Sequence, residues 1–274
     1  SQPPTLNIKS EIDKGLYYFN LENPTSETDK KALFYLEKIA KIDPKNSVDA
    51  ALICQASEKV GVLSQTLQEN QKAAFYYKKA INIAHKFTLP DSTVFPSLLY
   101  LSGIYYYNSV YDSCLTYLSK AEMLYEKNPK LPEAERLFNT KGVLLFESGN
   151  FRQSLAYFKK AESFAGTDIF SNRNNQALAL QFMNQPDSTY KILKNLQKDF
   201  PNEHSLKINL ASVLLELNRR KEALGFLGKI AGDSVVYFNT LGKTYFKLND
   251  VTKAKENFEK SLRFSKRKNA IFGF

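Results

Sequence analysis

Phe238-Asn239-Thr240-Leu241-Gly242-Lys243-Thr244-Tyr245, followed by Ala254, Phe258 and Ser261, is the stretch from which the fold can be read. A small residue is followed twelve positions later by a second small residue, and seven beyond that by a third. The spacing returns at Phe138, Gly142 and Leu145 with Ser154, Phe158 and Ala161. Apolar residues recur at three- and four-residue steps, the period of a helix, and no stretch keeps the period of two that a strand needs. The spacing therefore predicts pairs of helices repeated about every 34 residues. Small residues let the two backbones of a pair approach closely. The intermediate aromatic, Phe158 or Phe258, is expected to fill the groove to the neighbouring repeat. Such pairs cannot bury their apolar faces alone and are expected to stack into a curved solenoid.

Working outward, seven units can be laid end to end. Residues 8–46 carry Gly15, Ala32, Leu36 and Ile39, with a turn lengthened by Asn23-Pro24-Thr25-Ser26. Residues 54–95 carry Gly61, Ala73, Tyr77 and Ala80 and close at Leu89-Pro90-Asp91-Ser92. Residues 96–134 carry Gly103, Cys114, Leu118 and Ala121, a spacing that reads as one residue missing from the turn. Residues 135–169 place Gly149-Asn150 between their helices, and residues 170–203 carry Ala177, Leu180, Thr189, Leu193 and Leu196. Residues 204–234, with Ala211, Leu214, Ala223, Leu227 and Ile230, are short at their end, and residues 235–268 fit the pattern best. One continuous array over 8–268 is expected, with a leader at 1–7 and a tail or linker to a further domain at 269–274.

This pattern resembles the tetratricopeptide repeat (TPR) family. The resemblance implies an all-α, α-α superhelix of about seven helix-turn-helix repeats. It also implies a non-catalytic scaffold that binds a protein or peptide segment along a concave surface lined by the first helices. A finer likeness lies in Ala134-Glu135-Arg136-Leu137-Phe138-Asn139-Thr140-Lys141-Gly142 and Gly149-Asn150-Phe151-Arg152-Gln153-Ser154-Leu155-Ala156-Tyr157-Phe158. It resembles the TPR region that precedes a CHAT protease-like domain in Bacteroidetes-type proteins. That resemblance implies a segment of a larger protein whose catalytic His and Cys lie in a C-terminal domain. An alternative is the sensor segment of a membrane-bound regulator.

Composition narrows the remaining classes. Of 274 residues, 43% are hydrophobic and 24% charged, which suits a folded chain rather than a disordered one. No run of about 18 apolar residues occurs, so no segment reads as a transmembrane span. The net charge of +10 invites nucleic acid as a partner. The basic residues are scattered over most repeats, however, which argues against that reading. Their densest cluster, Arg263 with Lys266-Arg267-Lys268, is expected at the end of the last helix, where the dipole favours cations. The 36 Phe and Tyr rings are expected in the helical stack. Cys54 and Cys114 are expected to be small buried hydrophobes, since two cysteines form neither a disulfide framework nor a metal-site spacing. The opening Ser1-Gln2-Pro3-Pro4 is what signal-peptide removal leaves, which would place the protein outside the cytoplasm. Trimming leaves the same, so the compartment stays open.

Chemistry is sparse. His85 and His204 stand far apart, and neither sits beside a Cys or Ser in a nucleophile setting. There is no phosphate-binding glycine loop, and no cofactor or metal site is read from the sequence. The candidate site is a row of amides in the first helices of the last four repeats: Asn139, Asn174 with Asn175, Asn209 and Asn239. Asn is disfavoured inside helices, and each amide offers both a donor and an acceptor to a peptide main chain. The row resembles the asparagine ladder of TPR superhelices such as that of the O-linked sugar transferases. Packing between repeats would explain it equally well. The carboxylate clamp of another TPR subclass is not matched: Ser205, Ile208, Val236 and Thr240 stand where it needs basic or amide residues.

Overall fold

In a computed structural model the chain is described over residues 7–228, 230 and 234–272, from 266 onward in backbone only. The described residues form fourteen α-helices. They are α1 (Ile8–Phe19), α2 (Ser26–Ala40), α3 (Ser47–Thr66), α4 (Asn70–Lys86), α5 (Asp91–Tyr107), α6 (Tyr111–Lys127) and α7 (Ala134–Glu147). There follow α8 (Phe151–Glu162), α9 (Ile169–Phe182), α10 (Pro186–Asp199), α11 (His204–Glu216), α12 (Arg220–Leu227), α13 (Val235–Lys247) and α14 (Val251–Phe272). Two compact units divide the chain, Ser1–Leu137 and Phe138–Phe274, with the boundary inside α7.

In the first unit each of α1 to α5 packs on the next, and the odd-numbered helices also touch one another, α1 on α3 and α3 on α5. The second unit repeats the scheme from α8 to α14, with α11 on α13. This is the connectivity of stacked helix pairs. The core follows the small-residue positions. Ala32, Ala73, Ala80, Cys114, Ala121, Ala161, Ala211 and Ala223 are fully buried. A Cβ on Gly61 would stand 2.4 Å from the Tyr77 ring, and one on Gly142 2.7 Å from the Phe158 ring. In the first, second, fourth and seventh pairs the second helix thus lays a large side chain, Leu36, Tyr77, Phe158 or Phe258, on the bare backbone of a glycine in the first. Hydroxyls fasten the same joint: Ser154 Oγ donates to the Gly142 carbonyl at 2.7 Å, and Thr189 Oγ1 to the Ala177 carbonyl at 3.4 Å. Burial pushes the Cys54 thiol up to about 12 and the Cys114 thiol to about 11, so both behave as apolar packing residues.

The turns inside the pairs share one construction. From the second pair onward each has three residues with a left-handed middle one: Gln68, Ser109, Gly149, Asn184, Asn218 and Asn249. The residue after it donates back to the helix it has left, as Glu69 to Ser64 and Asn150 to Leu145, both at 2.8 Å, and Asp250 to Tyr245 at 3.0 Å. This motif satisfies carbonyls orphaned at the helix end. The first pair differs: its longer turn ends at Thr25, which caps α2 in a reciprocal box with Thr28.

Several expectations need correcting. The third repeat lacks no turn residue, since Asn108-Ser109-Val110 is as long as the other turns. Its small position is Ser102, fully buried, rather than Gly103, whose absent Cβ would meet nothing within 4 Å. α3 begins at Ser47 under an Asn46 cap rather than near Cys54. α5 begins at Asp91, which leaves Pro96 in its second turn. Phe158 is 1% exposed, but Phe258 rests on Gly242 and still exposes 37%, because no described helix covers that side of α14. The α14 backbone runs on to Phe272, so Arg263 lies within the helix, where it pairs with Glu259 at 3.7 Å. The side chains of Lys266, Arg267 and Lys268 lie outside the described residues, as do residues 1–6 of the leader. Backbone 269–272 of the expected tail continues α14.

Candidate functional site

The five asparagines of the amide row lie on first helices of the second unit: Asn139 on α7, Asn174 and Asn175 on α9, Asn209 on α11 and Asn239 on α13, each half-buried. The structure sorts them into three kinds. Asn139 is held by packing, its Oδ1 accepting from Asn172 Nδ2 at 2.8 Å. Asn172, only 2% exposed, also donates to the Phe158 carbonyl at 3.0 Å and accepts from Gln176 Nε2 at 2.8 Å. Gln176 and Arg173 converge on Glu162 at 2.6 and 2.8 Å. Burial pushes the Glu162 carboxyl up, but these hydrogen bonds outweigh it and hold the group below the usual carboxylate range.

Asn174 and Asn209 form a second kind. Asn209 Nδ2 donates to Asn174 Oδ1 at 2.8 Å, a rung between α9 and α11. Each amide keeps unused hydrogen-bonding capacity on its open side. Asn175 and Asn239 are the third kind, with no side-chain hydrogen bond among the described residues. About two turns further along α9, Gln181 Nε2 bonds Glu216 Oε1 and lies 3.5 Å from Ser212 Oγ. Lys247 Nζ reaches the Leu215 carbonyl at 3.4 Å. Ser212, Glu216, Lys243, Phe246 and Lys247 border an open cleft of about 390 Å³ floored by Leu215 and Phe258. Amides, hydroxyls and rings are thus joined there by the charged Glu216, Lys243 and Lys247. Asn172 and Gln176 were missed by sequence reasoning; the signal was the amide-rich run Asn172-Arg173-Asn174-Asn175-Gln176.

The first unit offers a different surface. Glu58 on α3 is 8% exposed, with Lys59 at 3.1 Å as its ion partner. Burial raises its carboxyl above the usual range. Nearby, Tyr77 donates to Gln65 at 2.6 Å, Tyr100 to Glu133 at 2.5 Å, and Arg136 to the same Glu133 oxygen at 2.9 Å. Among the described residues no group of three His, Cys, Asp or Glu side chains is placed to hold a metal ion. Nor is any described helix long and apolar enough to cross a membrane.

A tetratricopeptide-repeat family model matches residues 236–267. No curated protein matches the sequence. Among solved structures, a tetratricopeptide repeat protein from Parabacteroides merdae has TM-score 0.60 at 16% identity, covering 94% of this chain and 93% of its own. The apo form of RapI has TM-score 0.63 at 11% identity, over 97% of this chain and all of its own. The Rap conjugation gene regulator of plasmid pLS20, in complex with the Phr* peptide, has TM-score 0.51 at 17% identity, over 97% and 75%. At these identities the likeness concerns the fold. Residues 236–267 thus match a tetratricopeptide repeat, and the chain as a whole shares the fold of tetratricopeptide-repeat structures.

Proposed function

We propose that the protein is a non-catalytic peptide-binding scaffold whose ligand lies extended along the first-helix face of the second unit. The observation that carries this reading is the amide row itself. Asn175 and Asn239 have no side-chain hydrogen-bond partner among the described residues, and Asn174 and Asn209 spend only part of their capacity on each other. An extended peptide offers a donor and an acceptor at every residue, which amides of this kind pair without selecting side chains. The pLS20 Rap regulator, similar in fold, was solved with a bound peptide, which supports the same use of the architecture.

The test starts from a binder selected out of a random peptide library displayed on phage, then titrated by calorimetry. One lost hydrogen bond is worth about 0.5–1.5 kcal/mol, so Asn175→Ala/Asn239→Ala should weaken the binder by about 1–3 kcal/mol. Helicity should stay intact, since neither side chain makes a hydrogen bond among the described residues. Unchanged affinity in that variant, or a library that yields no binder, would count against the reading.

A further inference from the structure

A second surface lies in the first unit, lined by a second helix and an inter-repeat loop. The second helix α4 and the loop between α2 and α3 border an open groove of about 630 Å³. Its floor is apolar, from Ile83, Phe87 and Phe75, and the Phe75 ring is 62% exposed. Three lysines line it, Lys78, Lys79 and Lys86, against one carboxylate, Asp43. Asp43 is almost wholly in solvent and stands 3.9 Å from Lys79, too loose to neutralise it. Lys78 lies over the Tyr105 ring at 5.5 Å and Lys86 over Phe87 at 5.6 Å, contacts that leave both charges uncompensated. Lys79 is steadied by the Ile42 carbonyl at 3.3 Å.

We infer that this groove binds an acidic peptide segment carrying an apolar side chain, with the ring or aliphatic group against Phe75 and Ile83 and its carboxylates on Lys79 and Lys86. Charge complementarity selects the occupant: three cations around an apolar floor favour a ligand that is apolar at its centre and anionic at its edges. The volume falls in the range that takes a few side chains, about 300–1,000 Å³, which fits a peptide better than a flat lipid surface. The site is independent of the amide face, so either reading can fail while the other stands.

The probe is the fluorescein-labelled peptide Asp-Glu-Phe-Asp-Glu-Leu, followed by anisotropy with the full chain at low and at physiological salt. Its controls are Asn-Gln-Phe-Asn-Gln-Leu, which lacks the charges, and Asp-Glu-Gly-Asp-Glu-Gly, which lacks the apolar groups. The acidic-apolar peptide should bind about tenfold or more tighter than either control and weaken as salt rises. Lys79→Gln/Lys86→Gln and, separately, Phe75→Ser should each cost about tenfold. Phe75 is exposed, so its variant keeps the fold even if the lysine pair does not. Asn175→Ala/Asn239→Ala should leave this affinity unchanged. Equal binding of the glycine control, insensitivity to both groove variants, loss in the asparagine variant, or no binding would each overturn the inference. So would a phosphatidylserine vesicle or an oligothymidine that bound through Lys79 and Lys86 more tightly than the peptide.

Discussion

Two glycines of neighbouring repeats carry opposite predictions. A Cβ on Gly142 would stand 2.7 Å from Phe158, a ring held at 1% exposure with no room to retreat. Gly142→Leu should therefore lower stability by about 1–3 kcal/mol or more, read from a urea melt. Gly103 meets nothing, so Gly103→Ala should raise stability by about 0.5–1 kcal/mol through helix propensity. The sequence equates the two residues because both fall near a small-residue position, and a one-residue slip passes unnoticed where Ser102 and Gly103 are both small. Glu58 carries a prediction that was not legible at all. Its carboxyl is raised by burial, so protonation stabilises the native state. That contribution is fully present below the ordinary 4.5 and is lost as pH rises through the raised value. Glu58→Gln should thus melt higher than the parent at pH 7–8, with the difference closing towards pH 4. A constant difference across that range would contradict the assignment.

At the scale of elements, the three-residue turns decide where one helix stops and the next begins. Gly149 stands at φ +81° and Ser109 at φ 59°, equivalent places in successive repeats. Gly149→Ala should cost about 1 kcal/mol, and Ser109→Gly should recover a similar part of its left-handed strain, both read from thermal melts. Gly149, Asn184, Asn218 and Asn249 advertise their turns, since Gly and Asn tolerate this conformation. Gln68 and Ser109 do not, because tertiary packing imposes the geometry against local preference. That is why the fold class was plain from the sequence while the third repeat's register was not. The amide row was legible as a row, but its division was not. Whether an Asn meets Asn172, another rung or nothing depends on its neighbour a repeat away.

At the scale of the whole chain, each repeat draws its stability from itself and its immediate neighbours, so protection is expected to vary along the sequence. α12 has only eight residues and buries two of them, Ala223 and Leu227, whereas α3 has twenty and buries ten. Native-state hydrogen exchange should find amides of α12 opening at lower free energy than those of α3. Uniform exchange across both helices would show that the chain opens as one cooperative block.

The joint between Gly142 and the pair Ser154 and Phe158 closes within a single repeat, by one hydroxyl-to-carbonyl bond and one ring on bare backbone. A repeat of this kind carries its own alignment marks. It can be copied or deleted as a block without disturbing the alignment of its neighbours, whereas one inserted residue between Gly142 and Ser154 would break both contacts at once. Array length is therefore the cheap variable for such a chain, and spacing within the repeat the expensive one.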